Sequence, residues 1–207
     1  MKISYAITVC NELEEIKRLI DFLIQYKREK DEIVVLFDDS NSTKEMETLL
    51  HLYRNNNYIT LHIDYFDGHF ANWKNKLNSF CLGDYIFQID ADEIPHTSLI
   101  QNLPVLLEEN QLIDMIRVPR VNTVEGLTEE HIQRWGWNVN EKGWVNWADW
   151  QMRIYKNIPE IKWVNKVHEV LNGFKTHGML PIEEEWALYH PKTIERQEKQ
   201  NSYYNTL

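Results

Sequence analysis

The stretch Gly83-Asp84-Tyr85-Ile86-Phe87-Gln88-Ile89-Asp90-Ala91-Asp92-Glu93 decides the fold. Residues 84–89 form an apolar run of strand length that ends abruptly in carboxylates, as a buried parallel strand does where it meets a polar turn. Two acids one residue apart after such a strand turn into one cleft. Their hard oxygens suit Mg²⁺ or Mn²⁺ and leave coordination positions for phosphate. An isolated D-x-D is usually no more than a solvated acidic turn, so its surroundings must decide.

Upstream the same rhythm repeats. Residues 3–10 are an apolar, β-branched run; Asn11 and Glu14 have capping-box spacing, and Leu13, Ile16, Leu19, Ile20, Leu23 and Ile24 recur at helical intervals. Residues 32–37 predict a second strand, ending in Asp38-Asp39-Ser40-Asn41-Ser42. Ser42 with Glu45 then marks a helix carrying Met46, Leu49, Leu50 and Tyr53 on one face. A strand at 58–63 and a helix at about 70–82, striped by Phe70, Trp73, Leu77 and Cys81, lead back to the deciding stretch. Such alternation predicts a parallel sheet with right-handed crossovers, whose ligands bind beyond the strands' carboxyl ends. Asp38-Asp39 and Asp90-Ala91-Asp92 both fall on that edge.

The composition fits this reading. The chain has 207 residues, 43% hydrophobic and 26% charged, which is the make-up of one soluble domain over 1–207. With 32 Asp+Glu against 22 Lys+Arg and a net charge of -10, it lacks the basic face that nucleic acid requires. Cys10 and Cys81, in apolar contexts, read as reduced core thiols. No apolar run is long enough for a transmembrane segment, and Met1-Lys2-Ile3-Ser4 leads straight into a strand, so a cytoplasmic location is expected, with peripheral membrane contact still allowed. Six of the eight tryptophans fall between Trp135 and Trp163. Residues 122–147 show weak periodicity and read as a long excursion or lid. Strand-like runs follow at 150–155, 161–164 and 166–171, then a polar surface helix at 193–205.

Four ordered motifs, namely Asn11-Glu12, Asp38-Asp39, Lys74-Asn75 and Asp90-Ala91-Asp92, resemble those of family-two glycosyltransferases of the GT-A fold. Arg153-Ile154-Tyr155-Lys156-Asn157, Val167-His168-Glu169 and His190-Pro191-Lys192 resemble the later elements of one branch of that family. The resemblance implies an α/β, Rossmann-like, mixed but mainly parallel sheet flanked by helices, with a smaller Trp-rich acceptor-side region. It further implies a donor half over 1–121 and an acceptor half over 122–207.

Carried over residue by residue, the resemblance makes Thr8, Asn11, Asp38, Asp39, Lys74, Asn75, Asp90 and Arg153 donor-binding residues. Asp90, Asp92 and His190 become candidate ligands of Mn²⁺ or Mg²⁺. Thr8 stands where the family's first strand usually has proline, and the D-D-G-S turn is Asp38-Asp39-Ser40-Asn41, without its glycine. No Glu-Asp base motif is present. Glu169, beside His168, and Asp149, between Trp147 and Trp150, are therefore alternative bases for an acceptor hydroxyl.

His190 reads equally as a core histidine satisfied by backbone, and Arg153 as a strand ion-pair partner. Trp144, Trp147 and Trp150 are candidate platforms for pyranose rings, though some tryptophans must serve a core. The implied reaction is metal-dependent, inverting transfer of a sugar from a nucleoside diphosphate, UDP favoured, to a glycan or glycoconjugate hydroxyl, as in polysaccharide biosynthesis. A divalent cation is expected to offset the acids on the sheet edge, which would otherwise repel the donor.

Two rival readings fit less of the chain. A sugar-phosphate nucleotidyltransferase needs a Gly-rich basic loop after the first strand, and residues 8–15 (TVCNELEE) hold neither glycine nor a basic side chain. A carbohydrate-binding module accounts for the tryptophans but not for the nucleotide-side motifs.

Overall fold

β1 (Ile3–Val9) sends Ile3, Tyr5, Ile7 and Val9 into one core and Ala6 into another. Covered on both faces, it reads as a continuous apolar run and not as an alternation. The structure, a computed structural model, describes residues Met1–Tyr204. β2 (Glu32–Asp38) lies parallel beside β1, β3 (Thr60–Asp64) lies outside β2, and β4 (Tyr85–Asp90) takes the other side of β1. Strand order therefore reverses between β1 and β4, which opens a ligand crevice at their carboxyl ends.

Helices α1 (Leu13–Tyr26), α2 (Lys44–Asn55) and α3 (Phe70–Asn78) make the crossovers, and α4 (Thr97–Glu109) follows. Ile16, Leu19 and Leu23 of α1, Leu50 of α2 and Leu103 of α4 cover one face of the sheet. Ala71, Trp73 and Leu77 of α3 cover the other. Two helix starts sit one residue from their expected places. α1 begins after Glu12, whose carboxylate accepts the Cys10 and Asn11 N–H groups, and Thr43, not Ser42, caps α2 by accepting from the Met46 N–H.

The chain beyond β4 adds to the same sheet. It supplies β5 (Ile94–Pro95), β6 (Met115–Glu125) and β7 (Val145–Lys156), the separate hairpin β8 (Lys162–Val164) and β9 (Val170–Asn172), then β10 (His177–Met179) and β11 (Leu188–Thr193). The order is β3-β2-β1-β4-β7-β6-β11-β5, with β10 also on β6. β7 runs antiparallel between β4 and β6, so the sheet is mixed but mostly parallel, as expected.

The expected irregular excursion over 122–147 is corrected. β6 runs unbroken through residue 121, α5 (Glu129–Trp135) is capped by Thr128, and β7 starts at Val145. The short α5 buries none of its residues fully, so it has no apolar stripe to read. The expected strand at 166–171 forms only from Val170, because Asn165 (φ 77°) and His168 (φ 52°) adopt the left-handed conformation and break the extended run. α6 (Ile194–Tyr204) is the expected tail helix, and residue 205 of that expectation lies outside the described residues.

Gly173 follows β9 with φ +89°, and a Cβ there would stand 1.8 Å from the Glu160 carbonyl oxygen. Gly173→Ala is therefore expected to cost about 2 kcal/mol in urea denaturation, the scale of backbone strain at one forced residue. An unchanged midpoint would show that the hairpin shifts freely to accept the methyl group.

Candidate active site

A cavity of about 1070 Å³ opens at the strand reversal. Thr8 and Val9 at the end of β1 with Cys10 to Glu12 beyond it, Asp38 at the end of β2, and Asp90 at the end of β4 with Ala91 and Asp92 beyond it form its floor. Lys74 of α3, Trp163 of β8 and His168-Glu169-Val170 wall one side, while Trp150 to Arg153 of β7 and His190, Lys192 and Arg196 wall the other.

Buried charge organises the floor. Glu93 is fully buried, and its Oε2 accepts the Asp90 backbone N–H at 3.1 Å, closing the turn that carries the D-x-D. Its Oε1 accepts from Arg153 at 2.6 Å and from Arg120 at 3.1 Å. Arg153 also donates to Asp90 Oδ2 at 2.5 Å. The Lys74 ammonium stands 3.6 Å from Asp90 and 2.7 Å from Glu169, and 4.6 Å from the centre of the Trp163 ring. Burial alone would raise the Asp90 pKa, but Arg153 and then Lys74 outweigh it and hold the carboxyl well below the usual range.

Asp92 faces the other wall. His190 Nε2 stands 3.2 Å from Asp92 Oδ2, and His190 Nδ1 lies 2.8 Å from Asn122 Oδ1. Arg196 reaches Asp92 at 3.3 Å and also pairs with Glu15 at 2.8 Å. Burial pushes the Asp92 pKa up, but the His190 contact overrides it, and the carboxyl sits at about 2.

The sequence of residues 4–170 matches the family described as Glycosyl transferase family 2. The chain belongs to that family.

Solved structures agree in fold. S. aureus TarS 1-349 in complex with UDP superposes with a TM-score of 0.58 at 15% identity, covering 92% of this chain and 60% of that one. S. aureus TarS 1-349 alone gives 0.57 at 13% identity with the same coverage, 92% and 60%. A further S. aureus TarS structure is matched over 62% of this chain and only 23% of its own. This chain thus spans less than two thirds of each of these TarS chains. No curated protein matches it.

Within this family-two glycosyltransferase, the candidate residues divide by position. Thr8, Asn11, Asp38, Lys74, Asp90, Asp92, Trp150, Arg153, Glu169 and His190 line the one cavity. Five candidates stand outside its lining. Asp39 accepts from Ser42 at 2.6 Å beside the cavity. Asn75 clamps the Trp163 backbone, donating to its carbonyl at 2.8 Å and accepting its N–H at 2.9 Å, and so ties the hairpin to α3. Trp144 and Trp147 pack edge to face, 4.8 Å between centroids, with Lys142 over Trp144. Asp149 accepts from Arg120, Asn122 and Gln151; against burial, Arg120 foremost lowers its pKa.

Sequence reading gave no site role to Arg117, Arg120 or Asn122. Arg120 and Asn122 recur at strand spacing in a run interrupted by Pro119, which disguises β6. The expected repulsion of an anionic donor by the edge acids also changes. Among the described residues, seven basic side chains and six carboxylates line the cavity, so arginine and lysine already offset the floor.

Removing Arg153 should leave Glu93 and Asp90 buried without their shared cation. We expect Arg153→Met to lose about 3 kcal/mol or more in chemical denaturation. Arg196→Met breaks only partly exposed pairs and should lose less than about 1 kcal/mol. Equal losses would contradict the dominance of the buried set.

Proposed function

We propose that this protein transfers a sugar, with inversion, from a UDP-sugar to a hydroxyl of a glycan or glycoconjugate acceptor, assisted by Mn²⁺ or Mg²⁺. The observation that carries the proposal is the convergence of Asp38, Lys74, Asp90, Asp92 and Glu169 on one cavity at the strand reversal. The fold shared with TarS, solved with UDP, supports the choice of uridine.

The donor would lie along the floor, with the nucleoside beside Asp38 and the diphosphate near Lys74 and Asp92. Asp92 and His190 fit a divalent cation. A carboxylate oxygen and an imidazole nitrogen 3.2 Å apart match two adjacent ligands of an octahedral ion, which stand roughly 3 Å apart. Among the described residues no group of three His, Cys, Asp or Glu side chains gathers as a metal cage, so phosphate and water oxygens would complete the shell. A bound cation would stabilise the charge developing on the leaving diphosphate.

Glu169 is the better base. Among the described residues it pairs with one cation, Lys74, and it opens onto the cavity, whereas Asp149 is held by three side chains and has a lowered proton affinity. Glu169 takes the acceptor hydroxyl proton as the acceptor oxygen bonds to the anomeric carbon. The carbon–oxygen bond to the diphosphate breaks, and UDP departs with the electron pair. One displacement at one carbon inverts its configuration.

Calorimetric titration of UDP should show at least tenfold tighter binding with Mn²⁺ than without, about 1.4 kcal/mol, and Asp92→Ala should abolish the difference. Undiminished metal enhancement in that variant would remove Asp92 from the site. UDP release from UDP-sugars with a panel of glycan acceptors should fall by about 10²–10⁴ in Glu169→Gln while UDP affinity holds. Full turnover in Glu169→Gln would transfer the base role to Asp149.

A further inference from the structure

Arg117 is the cavity-lining arginine that the proposed reaction leaves without a task. It projects from β6, half-buried, with its Nε fully enclosed and without a hydrogen-bond partner. Among the described residues no carboxylate pairs with it, in contrast to Arg120, Arg153 and Arg196 around the same cavity. That Nε, like the one of Arg153, is closed off from the cavity, so only the rest of the guanidinium can meet a ligand, and among the described residues it has no carboxylate to hold. A guanidinium fork best fits a carboxylate or a phosphate.

Register places Arg117 relative to the donor floor. Phe87 of β4 and Ile116 of β6 both pair with Ile154 of β7, and past a bulge there Arg117 pairs with Met152, two strands across from β4. Two strand spacings are about 10 Å. The offset leads away from Asp38, on the opposite side of β4 from β2, and so beyond the diphosphate end of the donor. Trp150 pairs with Pro119 on the same β6–β7 ribbon, two residues along from the Arg117–Met152 pair, and lines the same cavity. An aromatic wall beside an unpartnered guanidinium is a site for a sugar ring bearing a negative charge.

We propose that Arg117 binds an anionic group, a carboxylate or a phosphate, on the acceptor glycan. This rests on the transfer reaction proposed above and adds the acceptor's chemical class to it. The guanidinium anchors the charged substituent while Trp150 meets the ring, leaving the acceptor hydroxyl to face Glu169.

Ligand-observed NMR titrations of the protein loaded with UDP and Mn²⁺ test it, with glucose, glucuronic acid and glucose 6-phosphate as probes. At least one anionic sugar should bind tenfold or more tightly than glucose, and which one gains separates carboxylate from phosphate. Arg117→Gln should bring that sugar within twofold of glucose and leave UDP affinity within twofold of wild type, while Arg117→Lys keeps part of the preference. Three probes of equal affinity would overturn the proposal, as would a preference that survives Arg117→Gln. A matching loss of UDP affinity in that variant would also overturn it, making Arg117 a donor residue. Failure of UDP to bind the wild-type protein sinks the transfer reading itself, whereas normal UDP binding without an anion preference sinks only the role of Arg117.

Discussion

Glu93 is a carboxylate with no exposed surface, and the layout of the cavity floor follows from what it needs. A buried carboxylate is tolerated only when charge and hydrogen bonds surround it. Arg153 and Arg120 supply the charge, and the Asp90 backbone N–H takes the remaining oxygen. That last bond folds the chain back after β4, so that Asp90 turns toward Arg153 and Lys74 while Asp92 turns toward His190. Arg153 comes from β7 and Arg120 from β6, which explains why β7 must enter the sheet next to β4. One buried acid thus ties the nucleotide-side strands to the second half of the chain.

The same constraint separates two carboxylates that look alike in sequence. Asp149 sits opposite Arg120 in the β6–β7 pairing and is drawn into the buried charge set with Asn122 and Gln151. Its proton affinity falls because neighbours stabilise the ionised form. Glu169 lies on the loop joining β8 to β9, where Asn165 and His168 adopt the left-handed conformation, and it lines the cavity. The Asn75 clamp on Trp163 and the Phe70 N–H bonded to the Lys166 carbonyl fix that loop against α3. Asn75, expected near the phosphates, thus holds in place the hairpin that carries a candidate base.

The donor-side fold was legible because it rests on local signals. The runs at 3–10, 32–37 and 84–89 are buried on both faces, and each ends in polar residues at the reversal edge, so periodicity and position agree. The second half hid its strands for physical reasons. Pro119 sits inside β6, α5 lacks a buried stripe, and β10 is only three residues long. The tryptophans misled in part because their concentration has several causes. Trp163 is a core residue bonded to Tyr155, Trp144 and Trp147 pack on each other, and Trp150 reaches the cavity. Charge pairing between distant strands has no sequence period, which is why Glu93, Arg120 and Arg153 were not legible as a group.

These pairings also bear on how an anionic donor enters a protein of net charge -10. Lys74 is already committed to Asp90 and Glu169, and Arg196 to Asp92 and Glu15, so phosphate must exchange partners with carboxylates. The exchange is cheapest where the existing pairs are partly open to water, as at Arg196, and dearest at Arg153, which is enclosed. In the proposed reaction Lys74 has a particular place in this exchange. Its ammonium stands between Asp90 and Glu169, so a diphosphate drawing it away would also loosen its hold on the proposed base. Donor binding and the placement of Glu169 are then linked through one lysine.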